Sequence, residues 1–349
     1  MTKQTWTAAV SALCFLGCAL IIALTPTQFV TIAPGATYDL LAETDGAPIL
    51  QVTGAETYPT TGRILTAGTT QSEPESAIAL PEVLYAYWSR DREPVPRDWF
   101  YRAGTDDVTE QQRQRQQVDA SRTFAAAAAM RSAGIEVRQI PMVQTVAAAG
   151  PAADKLFPGD FVLQVDGEPL ETVAEITDSI RDRGVGELVT LTLLRNQQPM
   201  IVTLETAASN TAAGVPVWGG TLVMGYSYTP QVTFGIDLES SAASDGLMLG
   251  LALFDRLTDG DLVGDAVVSG AGNIDGAGNV SRVNGIRERL AAAERAGATT
   301  FLVPMTNCED LVGYSGEARI VSASTLDDAI QALDALADPS TADLVQGCA

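Results

Sequence analysis

The sequence predicts an α+β protein tethered by one N-terminal transmembrane helix, and three patterns carry that expectation. The stretch Thr5–Leu24, TWTAAVSALCFLGCALIIAL, is uncharged and close to the length that crosses a bilayer as a helix. Short β-branched segments broken by Pro-Gly and Thr-Gly turns follow it. Beyond them, strands alternate with helical segments through to Ala337. The chain has 349 residues, 46% of them hydrophobic, enough for two domains of ordinary size with a core each.

Charge and composition narrow the functions. The 43 acidic residues outnumber 21 basic ones, and the net charge of −22 repels polyanions, so no nucleic-acid partner is expected. The chain has no histidine, and its only lysines are Lys3 and Lys155. Nothing matches GxxxxGK[ST], so no ATPase module and no cofactor are expected.

Residues 1–27 form the cytoplasmic start and the anchor. Lys3 precedes the apolar run and no basic residue follows soon, which keeps the N-terminus in the cytoplasm. This gives a single pass through the plasma membrane with the C-terminal domains extracytoplasmic. A cleaved signal peptide is the alternative, although no clear small-x-small site ends the run before Pro26. Cys14 and Cys18 lie inside the helix and pack there. Cys308 and Cys348 fall on the oxidising side, where a disulfide tying the tail to the last domain is favoured over two free buried thiols.

Residues 28–134 read as a strand-rich and then helical region. FVTIAPGATYDLLA (29–42) and ILQVTGAETYPTTGRILTAGTT (49–70) give short strands with tight turns. A helix is expected over Ser76–Trp88, a loop over Arg90–Asp107, and a long helix over Val108–Ala133 that is polar first and Ala-rich afterwards. That last helix reads as a packing strut.

Residues 135–207 change rhythm: strand VRQIPMVQTV, a turn, strand FVLQVDG, helix ETVAEITDSIRDRG, then strands ELVTLTLLR and PMIVTLE. Within it GPAADKLFPGDFVLQVDGEPL resembles the PDZ pattern, a short helix ending in Pro-Gly-Asp that leads into a strand finishing Asp-Gly. The glycines of both turns supply positive φ. The resemblance implies a module that adds an extended peptide as a strand and holds its carboxylate on backbone amides of a glycine-rich loop. The equivalent loop is expected near Arg138–Met142, which has no glycine and in which Pro141 lacks an N–H. A protein or peptide partner is therefore expected, a spacer or docking module without a free-peptide ligand being the alternative.

Residues 215–338 mix the strands TLVMGYSY, VTFGIDL, DAVVSGAG, TTFLVP and ARIVSA with three helices, and residues 339–349 are a tail. AlaAlaSerAspGly (242–246) before the apolar LMLGLALFDRL, ValSerGly (268–270), GNVSRVNGIRERLAAA from Gly278 and ERAGATTFLVPMTNCEDL follow in the order of the proteolytic domain of Lon-type serine proteases, which this section resembles. The resemblance implies Ser244 at the nucleophile position, Arg289 at the position of the base lysine, and Ser269 in place of a threonine that contacts the dyad. IleAlaProGly with AlaThrTyr (32–38), ValThrGlyAlaGluThrTyrProThr (52–60) and VPRDWFYRAG extend the likeness to membrane-anchored PDZ-plus-Lon-type proteases of Gram-positive bacteria.

Arg289 decides the expected chemistry. A serine hydroxyl needs an adjacent base, and a buried lysine can lose its proton. Arginine keeps its proton in proteins. Asp245, Ala243, Arg282 and Asn284 also depart from the family pattern, and Asp245 sets a negative charge where an oxyanion would form. The expectation is a Lon-type serine endopeptidase homologue, ATP-independent and catalytically impaired, hence a pseudoprotease that binds protein partners or peptides through the PDZ-like domain and the Lon-type cleft. The alternative is an active serine endopeptidase using Ser244. Lon-type domains commonly form rings, which makes a homo-oligomer an open expectation. Taken alone, Ser244 could be an ordinary N-cap, and Arg287, Glu288 and Arg289 the solvated face of a helix.

Overall fold

The computed structural model describes residues 3–44, 46–72, 78–89, 91–99, 107–210, 212, 214–236 and 241–348. The chain divides into two compact units: residues 1–133 together with 232–349, and residues 134–231 between them in sequence.

In the first unit α1 (Lys3–Leu24) is followed by β1 (Phe29–Pro34), β2 (Arg63–Thr66) and β3 (Thr69–Gln71). Next come α2 (Leu80–Trp88), β4 (Glu93–Pro96) and α3 (Asp107–Ser132). The predicted start of α2 at Ser76 lies outside the described residues. β4 corrects the expected loop over Arg90–Asp107: an extended Glu-Pro-Val-Pro segment pairs antiparallel with β1, placing Phe29 opposite Pro96, and β1 also pairs with β3. Prolines are tolerated there because β4 is an edge strand.

The second unit is an antiparallel sheet built from β5 (Arg138–Val146), β6 (Phe161–Val165), β7 (Leu188–Arg195), β8 (Gln198–Glu205) and β9 (Gly220–Ser227), in the order β8-β7-β6-β5-β9. Helix α4 (Val173–Arg181) precedes β7; its Thr172 N-cap and Glu175 form a reciprocal capping box, and Ile176 and Ile180 turn into the core. That core gathers Val143, Leu156, Val162, Leu191, Leu193 and Leu204, all nearly inaccessible. Gly159 and Gly167 adopt φ of +94° and +88°, the two turns that the Pro-Gly-Asp and Asp-Gly pairs announce. Asp160, 1% exposed, takes both arms of the Arg195 guanidinium at 2.6 Å, which fastens the first turn to the end of β7. TLVMGYSY, read from the sequence as opening the last domain, is β9, paired along its length with β5.

The remaining elements return to the first unit: α5 (Gly246–Leu257), β10 (Val267–Gly270), α6 (Ile286–Arg295), β11 (Thr300–Pro304), β12 (Arg319–Ala323) and α7 (Leu326–Ala337). A four-stranded parallel sheet runs β12-β11-β10-β2. Its fourth strand comes from the N-terminal region, so that region completes the sheet of the last section. β11, FLVP after Thr300, is buried at every residue, as a parallel strand covered on both faces must be. α5 is apolar nearly all round and is correspondingly buried, with α3 and α7 packed against it.

The expected strut α3 has a more specific task. Its Ala125–Ala129 run is almost completely buried, and such small side chains permit close helix approach to α5. Ser121 Oγ donates 2.7 Å to the Ala243 carbonyl, fixing the bend that opens α5. Gly246 is required at that bend: a Cβ there would lie 2.7 Å from Ser121 Oγ and 2.8 Å from Ile274 Cγ2. At the other end of the chain Cys308 and Cys348 are joined in a disulfide, and both pack on the cluster around Phe301 and Leu290. Cys14 and Cys18 are free and exposed on α1.

Candidate functional site

Ser244 sits in a single 3-10 turn, Ala243–Asp245, immediately before α5. The turn is welded to the strand region across from it, since Gly272 N–H donates to the Ser244 carbonyl at 2.8 Å and Leu247 N–H donates to the Gly272 carbonyl. Ser244 and Arg289 face one small cavity of about 230 Å³, lined also by Thr69, Asn273, Arg282 and Asn284. The nucleophile and base positions implied by sequence therefore meet. Ser269 does not join them: it is fully buried on β10 and donates to the Leu65 carbonyl of the neighbouring strand β2. It serves the sheet.

Among the described residues, the titratable groups lining this cavity are the guanidinium groups of Arg282 and Arg289. Neither can accept a proton. Ser244 Oγ is buried and has no hydrogen-bond partner among the described residues. The three backbone amides that follow Ser244 are committed elsewhere. Asp245 N–H donates to Ala242 O, Gly246 N–H to Ala243 O, and Leu247 N–H to Gly272 O.

Arg289 is held by backbone. It donates through Nε to Asn284 O at 3.0 Å and through Nη1 to Ala67 O at 2.5 Å, while Nη2 reaches Thr69 Oγ1 at 3.5 Å. Asp245 faces it, with Oδ1 4.0 Å from Nη1, and these side chains are only 8% and 5% exposed. The other carboxylate oxygen of Asp245 accepts the Ala242 N–H at 2.8 Å, and Oδ1 has no hydrogen bond. Burial pushes the Asp245 carboxyl up to about 6 even though the Arg289 charge pulls it down, and burial lowers Arg289. Sequence reasoning treated these two departures separately. The structure joins them into a buried ion pair, and the signal that could have found it was two opposite charges appearing together at the two positions of the site.

Glu288 beside Arg289 is also interior, 2% exposed, with Oε2 unpartnered, so α6 does not present these residues as a solvated face. Burial, aided by Glu93 and Asp91, raises its carboxyl to about 7 against the pull of its own backbone amide and Arg287. Between about pH 4.5 and about 7 the folded chain thus holds a proton that the unfolded chain releases, and stability is lost as pH rises through that window. Glu288→Gln removes this part of the slope and leaves the chain more stable at pH 8 by roughly 2–3 kcal/mol, read as the difference in melting temperature between pH 5 and pH 8.

The second unit offers a different surface. β5, where the peptide-binding loop was expected from sequence, is an interior strand paired with β6 and β9. It cannot accept an added strand. β9 ends the sheet, and α4 packs beside it. The segment entering β9 carries Gly214, Gly219 and Gly220, the first two at positive φ, which are the glycines missing from Arg138–Met142.

An antiparallel module flanked by α4 and an α/β domain that presents a serine at the mouth of an apolar helix define the class: a small antiparallel sheet domain joined to a proteolytic-type fold. Residues 118–206 match the family model of the PDZ domain, and residues 240–333 match that of the Lon protease (S16) C-terminal proteolytic domain. The chain thus carries a PDZ domain and a Lon-type proteolytic domain. Among solved structures it is similar to the PDZ domain of an SdrC-like protein from Listeria monocytogenes, 28% identical over 24% of this chain and 86% of that one, with a TM-score of 0.23. The PDZ domain of an SdrC-like protein from Listeria innocua is 24% identical over 24% of this chain and 92% of that one, also with a TM-score of 0.23. No curated protein matches the chain.

Proposed function

We propose that the chain is a pseudoprotease: a Lon-type proteolytic fold retained for binding, tethered through α1 with its folded units on the extracytoplasmic side of the plasma membrane. α1 supports the tether, being one helix long and apolar enough to span a bilayer over Gln4–Leu24. The observation that supports a loss of catalysis is the cavity at Ser244, whose titratable lining groups, among the described residues, are Arg282 and Arg289. Partner binding falls to the free edge of β9 beside α4, where an extended segment of a protein partner adds as a further strand.

The test uses the detergent-solubilised full chain. Casein and fluorogenic peptides remain intact on incubation, and a peptide selected on the chain from a displayed library protects Gly220–Ser227 from hydrogen exchange while β5 is unchanged. Cleavage that disappears in Ser244→Ala overturns the loss of activity. Protection elsewhere, with β9 exchanging freely, overturns the binding edge.

A further inference from the structure

Helix α2 has an unusual outer face. Its sequence LPEVLYAYW buries Val83 and Ala86, while Leu84, Tyr85, Tyr87 and Trp88 are 42%, 61%, 73% and 75% exposed. A surface helix ordinarily turns polar residues outward, and one that is apolar on both sides is covered by something. Trp99, 78% exposed in the 3-10 turn after β4, and Phe29 at the start of β1 extend the apolar surface. Tyr87, Trp88 and Trp99 line the same cavity of about 720 Å³.

What lies next to this face is the end of α1. Pro26, two residues beyond α1, bridges to Ala79, the N-cap of α2, and Thr27 donates through both N–H and Oγ1 to the Ile78 carbonyl at 3.0 and 2.8 Å. The C-terminal end of α1 also lies close to α2. At 1.5 Å per residue, the whole of α2 lies within about 14 Å of that bridge. Tryptophan and tyrosine are the side chains that settle at the headgroup level, where an apolar ring and a polar N–H or O–H are both satisfied.

We propose that the Leu84, Tyr85, Tyr87, Trp88 and Trp99 face docks into the headgroup region of the same bilayer that α1 enters. The face then fixes the folded unit flat against the membrane instead of leaving it on a free tether. Arg92, stacked 5.6 Å over the Tyr85 ring, supplies a cation at the edge of the patch for lipid phosphate. The proposal rests on the reading of α1 as a membrane span, and Trp6 within α1 reports on that reading separately.

The full chain is reconstituted into vesicles of phosphatidylcholine and phosphatidylglycerol carrying lipids brominated near the headgroup. Single-tryptophan chains retain Trp6, Trp88 or Trp99, with the other tryptophans, Trp218 included, replaced by phenylalanine. Trp88 and Trp99 are each expected to lose roughly half their emission relative to unbrominated vesicles, as Trp6 does. Quenching of Trp6 alone overturns the docking face and leaves the span standing, whereas an unquenched Trp6 overturns both. Blue-shifted but unquenched Trp88, with chain-to-chain cross-links, replaces the bilayer by a second copy and also overturns the proposal. Because Trp218 is buried, the chain with only Trp88→Phe and Trp99→Phe changed provides the check: its bromine-quenched fraction must fall relative to the unmodified chain, and an unchanged fraction overturns the face.

Discussion

Replacing Arg289 by methionine lowers the melting temperature by roughly 10 °C at neutral pH, the consequence of a loss of about 3–5 kcal/mol. The reason lies with the partner left behind. Asp245 is 4% exposed, and its Oδ1 faces the Arg289 charge at 4.0 Å, with Arg122 exerting a smaller pull on the carboxyl. Without that cation the buried carboxylate loses its main counter-charge. The penalty depends on pH in a defined direction. Asp245 already sits raised to about 6, and removing the guanidinium raises it further, so below about pH 5 the carboxyl is protonated in the folded chain and the cost of stranding it vanishes. What persists at low pH is the loss of donors to the Ala67 and Asn284 carbonyls. Asp245→Asn keeps an acceptor for the Ala242 amide and leaves Arg289 its carbonyls, so it costs less, under about 2 kcal/mol. Asp245→Asn with Arg289→Met is then less destabilised than the sum of the two. Additive melting shifts, or a pH-independent Arg289→Met penalty, would show that the two residues are not a pair.

Much of this fold is legible in local sequence, and the illegible parts share one physical character. Gly159 and Gly167 announce their turns because positive φ is a property of single residues. The apolar run of α5 announces its burial for the same local reason. β2 does not announce that it completes a sheet with β10, because parallel pairing across some 200 residues leaves no trace in either strand alone. β9 was assigned to the wrong sheet on similar grounds: a strand's pattern gives its faces but not its neighbour. At the candidate site, the family pattern points to Ser244 and Arg289, and both line one cavity. The Asp245–Arg289 pair and the interior placement of Glu288 were not, since a charged residue reads as exposed until a partner or a cavity wall is found for it.

The same pair governs what a lysine at position 289 could do. Arg289→Lys alone is expected to leave Ser244 unreactive toward a fluorophosphonate probe, although it supplies the side chain a serine–lysine dyad uses. A lysine there would face Asp245, and an opposing charge within a few ångströms favours the ammonium form that cannot accept a proton. Removing the carboxylate as well reverses the balance: in Asp245→Ala with Arg289→Lys, burial without a counter-charge lowers the lysine toward neutrality. That double variant should label at Ser244 roughly 10²- to 10⁴-fold faster than the wild type, the range a positioned general base supplies, with labelling abolished by adding Ser244→Ala. Rising reactivity between about pH 6 and pH 9 would track deprotonation of the new lysine. Wild-type labelling that vanishes in Ser244→Ala would mean an activated serine survives and sinks the pseudoprotease reading. A double variant as inert as the wild type would move the defect from the missing base to the amides of Asp245, Gly246 and Leu247, whose protons are already given to Ala242, Ala243 and Gly272.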